Sequence, residues 1–488
     1  MAYAWRKNTV TVSGLLLSVT LGGCEVGPDY TAPKTDLVQF HNLNDAVTKD
    51  HKASTQLESW WTGFNDPLLV KVVQRALSQN LDLSAALARV QQSRAGAEGA
   101  GAALLPTADL DGSVSYIHQS LKSPSGSVSK DAPGFQRDSW AKAVGPVASW
   151  EIDFFGGLRR GAAAAANDAE AAEAEEMGTR VIVAADTADA YMQVRGYQAR
   201  LAVAQDQVRI DQQLLDLVHN QYDSGASSQL EIAQAEALLK EARATIPPLR
   251  LALEQQLNRI DVLMGAQPGT YAHELGVAQE IPAVPAFSGT DQASEILRRR
   301  PDIIAAERHL AASNERIGEA ISDYYPKISI SGALGLDSIS ASHFFSPAAF
   351  QALGSGALRW RLFDFGKVDS EVAQAKGANS EALATYRQTV LKACEDVENA
   401  LAMLVQTQVH ISELQGQVES LARVRALSQQ AYEAGSITLT DVLDASRQLL
   451  AAEDELDGNR ADAARASVAV FRAFGGGWDS GISKVASK

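Results

Sequence analysis

YEAGSITLTDVLDA, residues Tyr432 to Ala445, ends one long helical pattern, turns at Gly435, and opens another in which Asp441 and Asp444 stand three residues apart. A spacing of three places both carboxylates on one face of the new helix. YDSGASSQLEIAQA, residues Tyr222 to Ala235, repeats the layout at an offset of 210: Tyr222 lies over Tyr432, Gly225 over Gly435, Glu231 over Asp441 and Ala235 over Ala445. The chain is built twice. The two hairpin turns, at Gly225 and Gly435, read as closing one end of a tube.

Working back from the tips, Leu158 to Tyr222 and Lys367 to Tyr432 each read as one continuous helix. Val194, Tyr197, Leu201, Ala204, Val208, Leu215 and Val218 follow a 4,3 spacing broken by Asp211. Val390, Cys394, Val397, Leu401, Leu404, Ile411 and Leu414 do the same, with Gln408 as the polar gap. Such seams call for coiled-coil packing, and about 65 residues of helix span roughly 100 Å. Return helices follow from Leu230 to about Met264 and from Asp441 to about Phe474, and Pro247-Pro248 should break or sharply kink the first.

Upstream of each long helix the period changes to two. A block from Ala76 to Gly112 returns 220 residues later as Ile296 to Gly332, and carries Pro106 onto Pro326. After each proline apolar residues alternate with small or polar ones, most clearly Ile328, Ile330, Leu334 and Leu336. Return strands end at Trp150 and Trp360, just before Gly156 and Gly366. Pro106, Gly156, Pro326 and Gly366 are thus the helix–strand junctions. Between Gly112 and Trp150 the offset falls from 220 to 210, which puts a ten-residue difference in the β segment, where loop length varies most cheaply. The stretch from Gln119 to Asp138 reads as an exposed loop. Strands of this length with terminal aromatics (Tyr116, Trp140, Trp150, Phe345, Trp360) match outer-membrane strands; alternation alone leaves a water-soluble sandwich equally open.

Asp66 before Pro67 reads as a helix cap with proline in the first turn. The run Arg298 to Arg300 before Pro301 reads as a solvated helix start. Arg6 and Lys7 precede a short apolar run, Val10 to Val19, and Leu21-Gly22-Gly23-Cys24 resembles a lipobox. This predicts cleavage after Gly23 and acylation of Cys24; an ordinary signal peptide with an incidental cysteine is the other reading.

The 59 acidic and 43 basic residues give a formal charge of −16, which argues against nucleic acid or an anionic membrane surface as a main partner. Two cysteines give no disulfide framework and no zinc site. No P-loop, G-x-S-x-G or HExxH pattern is present, so no enzyme, metal or cofactor is expected, and five methionines give no support to a thioether metal path. Beyond the signal no apolar run reaches 18 residues, so any membrane crossing must use strands. One chain offers four strands, which cannot close, and an open edge in hydrocarbon costs several kcal/mol per unpaired group. Three chains would give twelve strands, within the range of known barrels.

Taken together, these features resemble the trimeric outer-membrane factors of the TolC type, and more closely the NodT-like and OprM-like lipoprotein branch that serves resistance-nodulation-division efflux. The resemblance rests on Cys24 to Tyr30 (CEVGPDY), Trp60-Trp61 with Phe64, Asp66 and Pro67, Arg298 to Ile303 (RRRPDI) with Ala306-Glu307-Arg308, the Trp150 and Trp360 strand ends, and Gly475-Gly476-Gly477-Trp478. It implies a mainly α fold with a membrane β contribution: a homotrimer forming a 12-stranded β-barrel continuous with an α-helical barrel. It also implies a passive conduit for small molecules, anchored in outer-membrane lipid by acylated Cys24 and docked to a periplasmic adaptor and an inner-membrane pump. The same fold could serve type I protein secretion, and a lipid-anchored coiled-coil scaffold is a rival that would need no strands. In the family a TDVLDA-like motif rings the closed periplasmic aperture with aspartates, here Asp441 and Asp444; from the residues alone, Thr438 or Thr440 capping a helix whose first turn favours acids explains them as well. The family also ties the residue at Tyr432 to the tip of the first half, where Glu231 is the aligned partner. The chain departs from the family pattern in having no Arg or Lys between Gly435 and Asp441. The expected organisation is a signal over 1–23, an extended segment over 24–65, repeats over 66–264 and 291–475 joined by a linker over 265–290, and a tail over 476–488. Strands are expected over about 107–155 and 327–365, and helical hairpins over 158–264 and 367–474.

Overall fold

A computed structural model describes residues 25–34, 39–42, 57–285 and 297–478. The signal segment and Cys24 lie outside the described residues, as do 286–290 of the linker and 479–488 of the tail. In chain order the elements are α1 (Pro67–Gln79), α2 (Leu81–Ala102), β1 (Thr107–His118), a short α3 (Pro124–Ser129), β2 (Asp138–Ile152), α4 (Gly157–Asp223), α5 (Gln229–Leu263), a one-turn α6 (Ala272–Leu275), α7 (Pro301–Ser322), β3 (Lys327–Ser338), β4 (Phe350–Arg359), α8 (Lys367–Glu433) and α9 (Leu439–Ala473). The two long helices are 67 residues each and the two return helices 35 each. No described helix is long and apolar enough to cross a membrane.

The chain divides into two compact units. The first comprises Ala100–Ala162 and Glu315–Ala375 with the segment ending at Asp29. Its centre is a four-stranded antiparallel sheet in the order β1-β2-β3-β4. Within the halves Thr107 pairs with Ser149 and Lys327 with Arg359, so the hairpins are superimposable at offsets of 220 for the first strands and 210 for the second. The ten-residue difference therefore lies in the connection, and α3 occupies it where an irregular loop was expected. Trp150 Nε1 donates to Leu104 O at 2.9 Å, and Trp360 Nε1 to Tyr324 O at 3.0 Å, so each strand-end indole ties back to the turn just before its own half's proline. Gly156 and Gly366 both have positive φ, +80° and +85°, and turn the chain into α4 and α8.

No second sheet covers this one among the described residues. Leu110, Val114, Ile330, Leu334, Leu353 and Leu358 are all exposed in the single chain. A sandwich would bury one face of each sheet, and the described residues form none. The join between halves is tight: a Cβ on Gly145 would stand 2.0 Å from Leu334 O and 2.5 Å from Gly335 Cα. Near the start of the chain Arg160 gathers Glu25, Asp29 and Glu315 at 2.9, 2.9 and 2.7 Å.

The second unit, Tyr30–Gly99, Ala163–Asn314 and Lys376–Lys488, is helical. Asp66 caps α1 as its sequence suggests, accepting from the Leu68 and Leu69 amides. Trp60 is fully buried and stacks on Phe471 with ring centroids 5.2 Å apart, while Gly477 N donates to Leu57 O at 2.8 Å. The glycine-rich stretch after the second repeat thus wraps the tryptophan turn that precedes the first.

Two expectations are corrected here. Helix α5 runs through Pro247 and Pro248; Ile232 and Leu238 towards its start and Leu257 and Ile260 towards its end are buried in apolar clusters that also hold α4 residues, and the missing amides leave the hydrogen-bond ladder thinner at that point without ending it. Arg300 is not solvated. It is 8% exposed, forks onto Asp302 at 3.0 and 2.8 Å, and reaches Asp396 at 2.9 Å and Ala473 O at 3.1 Å. Pro301 starts α7 under α8 and α9, which turns Arg300 inward, and Arg299 pairs with Glu58 at 2.9 Å. The connection after α5 is packed. Leu275 is buried, Val277 O and Gln279 accept from the fully buried Arg195, and Asp261 caps the Gly269 and Tyr271 amides.

Candidate functional site

The two tips are built alike because their local sequence is alike. In the first, Gly225 takes φ +79° and the Ala226 amide donates back to Gln221 O at 2.8 Å; in the second, Gly435 takes φ +72° and the Ser436 amide donates to Ala431 O at 2.9 Å. Positive φ lets the chain leave a helix while satisfying its last carbonyls, a conformation costly for a residue with Cβ. Each return helix then starts with a reciprocal capping pair. Glu231 accepts from the Ser228 amide at 2.7 Å and from Ser227 Oγ at 2.8 Å; Asp441 accepts from the Thr438 amide at 3.0 Å and Thr438 Oγ1 at 2.7 Å. These donors hold both carboxyls below their ordinary range, led by Thr438 for Asp441 and by Ser227 for Glu231. Thr438, not Thr440, is the cap.

Beneath the turns lies one apolar cluster drawn from all four long elements: Leu214, Leu215 and Val218 of α4, Ile232, Leu238 and Leu239 of α5, Tyr432 of α8, and Leu439, Val442 and Leu443 of α9. Here the halves differ. Tyr432 is buried, while its counterpart Tyr222 is 44% exposed. The Tyr432 hydroxyl donates to Gln221 Oε1 at 2.7 Å. The tie to the first tip is therefore made, but to Gln221 and not to Glu231. Burial, and secondarily the Glu231 charge, push the Tyr432 hydroxyl above its ordinary range, so it stays a donor.

Asp441 and Asp444 both lie on the exposed face at the start of α9. Asp444 stands 3.7 Å from Arg447, whose Nε donates to Glu241 of α5 at 3.1 Å. Arg447 supplies a basic tie between the return helices that the turn itself lacks. Its spacing of three from Asp444 was the available signal; nothing in the sequence marked Gln221 or Glu241. Gly225, Gly435, Tyr432, Asp441 and Glu231 are brought to one end of the helical unit through this cluster and its caps.

The family model described as outer membrane efflux protein matches residues 72–266 and 293–476. The chain belongs to the outer membrane efflux protein family. The two matched stretches divide where the duplication does. Pyoverdine export outer membrane protein OpmQ of Pseudomonas aeruginosa is 30% identical over 488 residues, covering 99% of this chain and 99% of that protein. The OpmQ of Pseudomonas putida is 32% identical over 433 residues, covering 87% of this chain and 89% of that protein. Among solved structures, the outer-membrane channel OprN matches with a TM-score of 0.85 at 31% identity, covering 93% of this chain and all of that one. This outer membrane efflux protein is thus the outer-membrane channel component of an efflux system and not an enzyme, and its exposed sheet is its membrane element.

Proposed function

We propose that three copies close into one passive conduit, a 12-stranded barrel continuous with a helical barrel, docked on a periplasmic adaptor and an inner-membrane resistance-nodulation-division pump. Acylation of Cys24 adds a lipid anchor. The carrying observation is the duplicated register. The β2–β3 join, in which Trp150 pairs with Ile330 and Ser149 with Ser331, is the template for joining β4 of one copy to β1 of the next. Moved by the same offsets, it sets Trp360 opposite Leu110, Ala357 opposite Ser113, Arg359 opposite Asp111 and Arg361 opposite Asp109. Opposite charges would then meet on two neighbouring rungs of one face, which supports this register over a slip by one residue that would send each side chain to the other face. Cargo is small molecules, in keeping with the relative named for pyoverdine export.

A double variant, Ser113→Cys with Ala357→Cys in a Cys394→Ser background, should give disulfide-linked trimers on mild oxidation, while Val114→Cys with Ala357→Cys should not. Cross-linking in the second pair and not in the first would reject the register.

At the tips, Asp441 and Asp444 from three copies would place six carboxylates around the aperture and favour cations there. Tyr432 on Gln221 and Arg447 on Glu241 hold it shut until adaptor hairpins part the tips. Replacing both aspartates with Ala should reduce cation over anion selectivity in planar bilayers while trimers still form. The Asp441 change also removes a capping acceptor, so a slightly lower melting temperature is expected as well. Unchanged selectivity would assign the aspartates to capping alone.

A further inference from the structure

Asp211 interrupts the apolar seam of α4, yet it is only 1% exposed, whereas the polar break in α8, Gln408, faces solvent. Its Oδ1 accepts from Gln207 Nε2 at 2.7 Å, and its Oδ2 is sealed from water without a hydrogen-bond partner. The residue borders a cavity of about 420 Å³ between α4, α5 and α9, walled in part by Leu238, Leu249 and Leu450. Other charges at the cavity are paired: Arg200 forks onto Asp454 at 2.7 and 2.8 Å, and Arg447 reaches Glu241 at 3.1 Å. The groups facing Asp211 are Arg425 on α8, Glu241 on α5, and Arg447 and Asp454 on α9, with Arg200 on its own helix. The guanidiniums favour the carboxylate and Glu241 opposes it, but lost hydration outweighs them and pushes the carboxyl up to about 6.

An oxygen closed to anything of water's size cannot be met by a hydrated cation or an amine. A proton is small enough. We propose that Asp211 is a proton-operated latch: protonated, it lets α4, α5 and α9 close on one another beside the tips, and ionised, it loosens them. Its position suits the role. Leu214 and Leu215, one turn further along α4, belong to the cluster that joins both tips. Across the cavity stands Pro248, where α5 lacks consecutive amide donors and yields most easily.

Because the packed protein binds this proton more tightly than the unfolded chain does, the stabilisation is complete below the ordinary aspartate range and is lost as pH rises through about 6. Carrying the carboxyl from its ordinary value to about 6 makes the full change in the folding equilibrium about hundredfold, of which about tenfold falls between pH 5 and 7.5. Rising pH thus frees the tips and falling pH locks them.

The inference rests on the aperture reading only for its effect on current, so two measurements separate them. In thermal unfolding of the purified full-length protein, the wild type should melt at falling temperature from pH 5 to 7.5. Asp211→Asn, neutral and of the same shape, should lose most of this fall, leaving the smaller part that the half-buried Glu453 contributes, and so should Asp211→Leu, which gives the reading should the Asn variant fail to assemble. Gln408→Ala, at the solvent-facing break in α8, should keep the wild-type profile. Variants at Asp211 that also keep it would overturn the latch. In planar bilayers, open probability of the wild type should rise over the same window and that of the Asp211 variants should not. A flattened melting profile with an unchanged current profile would keep the latch and remove its link to the aperture.

Discussion

Arg300→Met should lower the stability of the helical unit by about 2–4 kcal/mol, read as a clear fall in melting temperature of the purified protein. Met keeps most of the volume and removes five donors. The guanidinium joins the start of α7 to α8 through Asp396 and to the end of α9 through Ala473 O. That carbonyl is in the last turn of α9, where no intrahelical partner exists and a positive charge is favourable. The loss is kept from the top of the range for breaking a buried pair because Asp302 and Asp396 are 46% and 56% exposed and regain water. Arg300→Lys should fall between, since an ammonium keeps the charge and cannot fork onto Asp302. A Met variant within about 0.5 kcal/mol of wild type would mean that hydration replaces every contact the fork makes.

Gly145→Val should have a larger effect still and abolish assembly of the sheet. The new Cβ would meet backbone on β3, at 2.0 Å from Leu334 O, so no side-chain rotation relieves it. Strands β2 and β3 must part, and this is the join between the two halves. In hydrocarbon each amide and carbonyl freed there costs several kcal/mol, more than the whole margin of a marginal fold. The expected result is loss of the folded band that resists unheated detergent on a gel. Gly112→Ala on β1 is the control, since its nearest neighbour is Val144 Cγ2 at 3.9 Å, an ordinary contact. Folded Gly145→Val protein would show that β2 and β3 can shift apart without losing their pairing.

Much of the tip was legible before any coordinates. The turn glycines, the acid three residues after a serine or threonine, and the tyrosine before each turn all act over less than two helical turns, so a linear reading captures them. Tyr432 shows where that reading stops. It aligns with Tyr222, and the family pattern ties it to the first tip, where Glu231 is the aligned partner. In the fold one tyrosine is buried and the other is not, and the nearer acceptor across the cluster is Gln221. Which of two similar side chains turns inward depends on the neighbouring hairpin.

Legible in the chain alone were the duplication, the order of the long helices and the strands, and the junctions at Pro106, Gly156, Pro326 and Gly366. These follow from period, from residues with restricted or expanded backbone freedom, and from self-comparison, all of which are properties of a line of letters. The tertiary structure alone decided that Arg300 is a buried fork, that α5 passes through two prolines, that the connection after it is packed under Arg195, and that Asp211 has a carboxylate oxygen with nothing to bind. A charged residue reads as solvated until the elements around it are known, because burial is a property of packing between segments far apart in the chain. The cost of that burial, and so the response to a proton, exists only once those segments meet.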